Sequence, residues 1–331
     1  MGKRESDVGR GSIMGALAGD AAGAFLEFLG RTPTLKEVEG AMKMPGGGHF
    51  RLAPGQITDD GELTLCLIQA LSESKSFEIE RIACWYAKWV ESNPFDVGNT
   101  TRLSIGCTRT EIGRKAAMEK GLAEAMSISA RTFCLESKAN GSLMRAAPIG
   151  VWGHRFSDSE LAHYAKLDSC LSHPNPSCWQ AVACYIIAIA ELMNSNDRVR
   201  AFDRAKNWAM RKAEDEVIEW LSLAETNKKT PFQPQDGFVK IAFTHAFRHL
   251  FLGTSYSEAI RETLLGGGDT DTNACIVGGL IGAADGFEKI PAVMSDAVVN
   301  CDSSKGNHSR PDFLLPKNVF PFLNNLISPN S

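Results

Sequence analysis

Apolar side chains recur at three- and four-residue spacing over most of the chain, in runs at Ser12–Leu29, Asp60–Ser72, Glu78–Val90, Ser159–Leu171, Ser177–Met193, Val199–Ala224, Gly237–Leu252, Ser257–Leu265 and Thr272–Gly286. That spacing gathers them on one face of a helix with 3.6 residues per turn. Alternating β-branched and aromatic segments between paired turn residues, the mark of a sheet, do not form a series. The pattern predicts an all-α fold, a compact orthogonal helical bundle.

Breakers separate the runs, at Pro45-Gly46-Gly47-Gly48, Pro54-Gly55, Asn93-Pro94, His173-Pro174-Asn175-Pro176, Pro231 to Pro234 and Gly266-Gly267-Gly268. None has the length of a flexible interdomain linker, and no internal repeat or low-complexity tract is present. One domain over residues 1–331 is expected, with the charged residues 1–10 as a flexible N-terminal extension. Asn227-Lys228-Lys229 reads as a solvated turn closing a charged helical stretch from Ala201.

Composition narrows the function classes. With 44% hydrophobic and 22% charged residues the chain falls in the range of globular domains. A net charge of -4 supplies no basic field for nucleic acid or an anionic membrane. The longest apolar run, Ala181–Ala190, suits a buried helix and is short of the roughly 20 residues needed to cross a bilayer. The nine cysteines are scattered and include no C-x-x-C, so they read as reduced core thiols. With no apolar segment resembling a secretory signal, a cytoplasmic protein is expected.

Two acidic clusters each open a helical run: Thr58-Asp59-Asp60 and Asp269-Thr270-Asp271-Thr272. One reading is helix capping, in which these side chains accept from free backbone N–H groups. The other is a divalent metal site, since the carboxylates exceed what capping needs and threonine hydroxyls add oxygen ligands. All-oxygen donors favour Mg²⁺ or Mn²⁺ over zinc or copper. An EF-hand is excluded, because counting from Asp269 puts Ala274 at the glycine position and Leu280 at the bidentate glutamate position. Asn140-Gly141-Ser142 reads either as a plain turn or as exposed N–H groups suited to phosphate. His245 and His249 share a helix face, but Ala246 replaces the glutamate of H-E-x-x-H, and they are taken as structural.

In order along the chain stand Gly19-Asp20 with Glu27, Thr58-Asp59-Asp60-Gly61, Asp96-Val97-Gly98-Asn99-Thr100-Thr101-Arg102, Asn140 to Pro148, His173-Pro174 and Gly267-Gly268-Asp269-Thr270-Asp271-Thr272. Each is a weak signal alone, but the ordered set resembles the ADP-ribosylglycohydrolase family almost end to end. Phe25 and Val97 depart from the commoner Pro and Ile, and neither change removes a polar group.

The resemblance implies an all-α fold with two Mg²⁺ ions, Mn²⁺ being a possible substitute, held by Thr58, Asp59, Asp60, Asp269, Asp271 and Thr272. It implies Glu27 and Asp96 as catalytic acids, Glu27 being the first choice of general base. It further implies substrate contacts from Asn99, Asn140, Gly141, Ser142, Leu143, His173 and Gly268, with the Gly141–Leu143 amides on a pyrophosphate. The expected activity is magnesium-dependent hydrolysis of the bond between ADP-ribose and a protein side chain, arginine favoured. Serine-linked and O-acetyl-ADP-ribose are alternative substrates. A non-catalytic ADP-ribose binder, or an immunity protein against an ADP-ribosyltransferase toxin, is the rival class. A monomer is expected.

Overall fold

The computed structural model describes residues 2–327. Its first half holds helices α1 (Lys3–Gly23), α2 (Leu35–Ala41), α3 (Asp59–Ser72), α4 (Ile79–Glu91), α5 (Asn99–Ser104), α6 (Glu111–Lys120), α7 (Leu122–Phe133), α8 (Ala147–Trp152) and α9 (Asp158–Ser169). The second half adds α10 (Pro176–Ser195), α11 (Arg198–Lys212), α12 (Asp215–Glu225), α13 (Val239–Leu252), α14 (Tyr256–Gly266), α15 (Thr270–Asp285), α16 (Ala292–Val299), α17 (Pro316–Val319) and α18 (Leu323–Ile327). Among the described residues no strand forms, and β-type pairing is limited to isolated bridges, Gly47 with Leu52 and Ala139 with Phe238.

The apolar runs all become helices, with shifted ends. Residues 3–10, expected as a flexible extension, are instead the first turns of α1 and bury Val8 and Gly9. Their charges serve as anchors: Glu5 accepts from the Gly2 amide, and Arg4 donates to the Asn194 carbonyl at 2.7 Å. Met1 lies outside the described residues. The run Val199–Ala224 splits into α11 and α12 where Ala213 turns extended and the Glu214 amide donates to Gln180. Helices such as α6 carried no apolar signal, since α6 buries only Gly113.

Core helix α10 has the length and hydropathy to cross a membrane, but 89% of its most apolar window is buried inside the fold. One cluster of buried apolar side chains runs from Val8 to Ile327. Of the nine cysteines, all are unpaired; Cys84 is exposed and Cys170 half-buried, so not every thiol lies in the core.

Antiparallel packing of α1 on α15 fixes the position of the site. A Cβ on Gly15 would lie 2.2 Å from the Gly278 carbonyl oxygen, and one on Gly19 would lie 2.1 Å from that of Ala274. Only hydrogen fits between the two backbones. The small residues at four-residue spacing in α1 therefore let the helices touch along their length. This contact brings Asp20, near the end of α1, against the first turn of α15.

Candidate metal centre

Helices α3 and α15 begin in the two acidic clusters, and neither N-cap side chain caps its own helix: Thr58 and Asp269 make no side-chain bond to the following amides. The Thr58 hydroxyl instead donates to Asp20 Oδ1 at 2.8 Å and lies 3.2 Å from Asp60 Oδ2. Thr272 approaches that same Asp60 oxygen at 3.4 Å. Asp20 is itself fixed by the amides of Thr58 and Gly61, at 3.0 and 2.9 Å. Capping alone does not explain this arrangement.

Carboxylate oxygens of Asp20, Asp60 and Asp271 lie within 4.8 Å of one another, as do those of Glu27, Asp96 and Asp271. Asp271 belongs to both groups and joins them. Among the described residues none of these carboxylates, nor Asp59 or Asp269, has a lysine or arginine within 4.0 Å. Glu62, one turn along α3, shows the contrast: it is buried too, but Arg310 grips it through Nε and Nη2 at 2.6 and 3.0 Å.

Crowding and burial push these acids toward the protonated form. Burial raises Asp20 to about 7. Burial, then the charge of Asp96, raises Glu27 to about 8, and burial, then Asp269, raises Asp96 to about 6. Asp59, Asp60 and Asp271 lie well above the usual carboxylate range, for burial first and neighbouring carboxylates second. Two buried acceptors, Asp60 Oδ1 and Glu27 Oε2, have no hydrogen-bond partner among the described residues. Orphaned carboxylate oxygens beside threonine hydroxyls, at two helix N-termini and with no lysine or arginine partner among the described residues, are a donor set that fits hard divalent cations.

Beside this cluster opens a cavity of about 770 Å³, lined by Glu27, Asp59, Asp96, Asp271 and Thr272. That is within the range of roughly 300–1,000 Å³ usual for small-molecule sites. Thr58 and Asp60 lie behind the lining, fully buried. Asn99, Asn140, Gly141, His173, Gly268 and Asp269 also line it, as do Gln233 and Asp236. Glu27 reaches it from a turn, since α1 ends at Gly23 and not at Leu29. There the chain abuts α15, and Thr270 donates to the Gly23 carbonyl at 2.8 Å.

Two of the expected substrate residues do not line the cavity. Ser142 is buried and accepts from the Ser169 hydroxyl at 2.8 Å. Leu143 is buried, and its amide donates to the Asn140 carbonyl at 2.8 Å, which removes it from any pyrophosphate-binding set. Among the described residues the amides of Gly141 and Ser142 have no acceptor. The loop is held from beneath: buried Arg145 donates to the Gly141 carbonyl at 3.1 Å and to Asp168, which also accepts from Tyr86. From the side, Asn140 donates to Asp269 at 2.7 Å and pairs through its amide with the Gly237 carbonyl. A Cβ on Gly141 would lie 2.8 Å from the buried His173 ring, so the loop has room only for glycine there.

The ADP-ribosylglycohydrolase family model matches residues 2–312. The chain belongs to the ADP-ribosylglycohydrolase family. It is 28% identical, over 91% of its length and 94% of the relative's, to a protein of Acanthamoeba polyphaga mimivirus provisionally named an ADP-ribosyl glycohydrolase. It is 26% identical to the ADP-ribosyl-[dinitrogen reductase] glycohydrolase of Rhodospirillum rubrum, over 86% of this chain and 88% of that one. To an ADP-ribosylarginine hydrolase of Serratia proteamaculans it is also 26% identical, over 88% and 75%. A solved structure titled an ADP-ribosylglycohydrolase-related protein complex shares the fold, with a TM-score of 0.73, 22% identity and 98% of each chain covered. The chain is thus a hydrolase of this family with the family's all-α architecture.

Asp20 was not among the site residues expected for this glycohydrolase chain, although it sits at the centre of the acidic cluster. Its signal was a single carboxylate inside a run of glycine and alanine, which only burial makes costly. Gln233 and Asp236 were missed for a different reason. They lie in a polar loop, and nothing local links that loop to Gly268 some thirty residues later.

Proposed function

We propose that the chain is a magnesium-dependent ADP-ribosyl hydrolase acting on ADP-ribose linked to arginine. The observation that carries this reading is the convergence, beside one cavity, of Asp20, Glu27, Asp59, Asp60, Asp96, Asp269 and Asp271 with no lysine or arginine paired to any of them among the described residues. Thr58, Asp59, Asp60, Asp269, Asp271 and Thr272 would hold the Mg²⁺ ions, and Asp20 would fix Thr58 and the start of α3 among them. When bound, such ions neutralise the carboxylates and orient hydroxyl and water oxygens.

The chain's own groups account for the remaining chemistry. The free amide of Gly141 offers an N–H donor to a pyrophosphate, and Asn99 and His173 line the same cavity. Cleavage at the ribose C1 develops positive charge on the sugar, which the surrounding carboxylates offset. The water oxygen bonds C1, its proton passes to Glu27 Oε2, and the electron pair of the C1–N bond leaves with the guanidinium, discharging it. Glu27 suits the base role because that oxygen is buried and unpartnered. Support for arginine comes from the acidic side chains of Asp96 and Asp236 on the wall, which favour a substrate that carries a cationic guanidinium, and from the name of the Serratia proteamaculans relative, an ADP-ribosylarginine hydrolase.

A release assay on arginine-linked and serine-linked ADP-ribosyl substrates, side by side and with and without chelator, tests the proposal. Release from arginine only, abolished by chelation, is expected. Equal release from serine removes the arginine preference. ADP-ribose binding without release from either substrate replaces the enzyme with a binding protein.

A further inference from the structure

Away from the carboxylate cluster, helix α13 carries a second group of metal-ligand side chains. His245 and His249, one turn apart, face Glu262 of α14, and one nitrogen of each ring and one oxygen of the carboxylate lie within 4.8 Å of one another. Both rings are fully buried. Among the described residues neither nitrogen of His249 has a hydrogen-bond partner, nor has Nδ1 of His245. A neutral imidazole offers one N–H and one lone pair, and burial without partners leaves both unsatisfied.

The tautomer of His245 is set by its surroundings. Its Nε2 lies 2.8 Å from the Thr230 carbonyl oxygen, which only accepts, so Nε2 carries the proton and Nδ1 presents a lone pair. A backbone carbonyl behind one ring nitrogen is the usual support for a metal-binding histidine. Burial holds both rings to about 4, which keeps their lone pairs free at neutral pH. The nearby cations do not occupy the remaining ligand: Arg248 and Lys229 both contact Glu262 Oε1, at 2.6 and 3.2 Å, leaving Oε2. Arg248 is held further by Asn227, so the turn expected to be only solvated is an anchor.

We propose that His245, His249 and Glu262 form a second metal site, for a borderline-soft divalent cation such as Zn²⁺. Two imidazoles and one carboxylate match the donor preference of zinc, whereas the all-oxygen cluster suits magnesium. The site is joined to the cavity: Phe232 stacks on His245 with ring centroids 4.1 Å apart, and the same loop continues to Gln233 and Asp236 on the cavity wall.

Zn²⁺ titrated into the full chain in millimolar Mg²⁺, followed by calorimetry and by ¹⁵N NMR of the histidine rings, tests the site. One equivalent is expected to bind and to shift two rings, those whose signals vanish in His245→Gln and His249→Gln. Zinc affinity should fall at least about a hundredfold in His249→Gln, the upper end of what loss of a supporting partner alone costs. Should His249→Gln fail to fold, Glu262→Gln, at a half-exposed side chain, is expected to weaken zinc binding while the ring shifts persist. If no ring moves with zinc, or both variants bind it as the parent does, the buried rings are structural and the proposal is overturned.

Discussion

Asp271 is the residue on which the two groups of carboxylates depend, since its oxygens lie within reach of both. Asp271→Asn keeps the shape and removes one ligand charge, so Mg²⁺ affinity by calorimetry should fall at least about tenfold and activity with it. Full activity in chelator would contradict this. If Glu27 is the general base, as proposed, Glu27→Gln should lower turnover by about 10²–10⁴-fold, the usual contribution of such a group, with ADP-ribose affinity little changed. An unaltered rate would move the base to Asp96, which shares the cavity wall. Beneath the loop, Arg145 and Asp168 are a wholly buried pair. Arg145→Met takes the cation from buried Asp168, which keeps only the Tyr86 hydroxyl as a side-chain partner, and should cost about 3–5 kcal/mol in denaturant unfolding.

At the scale of elements, the contact between α1 and α15 sets the distance between Asp20 and Asp271. A methyl at Gly15 would lie 2.2 Å from a backbone oxygen, which cannot turn aside as a side chain can. Gly15→Ala should therefore force the helices apart, lowering stability by about 1–3 kcal/mol, as overpacked cores do. Magnesium affinity should fall in the same variant although no ligand is changed. Loss of stability with unchanged metal affinity would show that α3 and α15 hold the cluster without α1. Helix dipoles act in the same place, for the N-termini of α3 and α15 favour negative charge near their first turns.

Over the whole molecule, the carboxylate cluster links stability to pH. Folding raises Asp20 to about 7, Glu27 to about 8 and Asp96 to about 6, so the native state binds protons that the unfolded chain has already released. Stability must then fall as pH rises from about 4 toward 8. The metal-free protein should melt at lower temperature at pH 8 than at pH 5.5. Saturating Mg²⁺ should remove that difference, since the cation keeps the native carboxylates deprotonated at both pH values, and its affinity should rise over the same interval with release of protons. A metal-free melting temperature that climbs from pH 5.5 to 8 would contradict the linkage.

The sequence by itself determined the helical class, because three- and four-residue spacing of apolar side chains is a local property of the chain. It also held the family's ordered motifs, and with them Glu27, Asp96 and the two acidic clusters. It left open whether those clusters cap helices or face each other, since a cap and a ligand are the same residue types in the same place. Only the tertiary structure decided that, by turning Thr58 toward Asp20 and Asp60 instead of toward the amides of α3. The same holds for Asp20, for the bonded amide of Leu143, and for His249 with both nitrogens unpartnered. Each depends on which distant segment becomes a neighbour, and spacing along the chain carries no record of that.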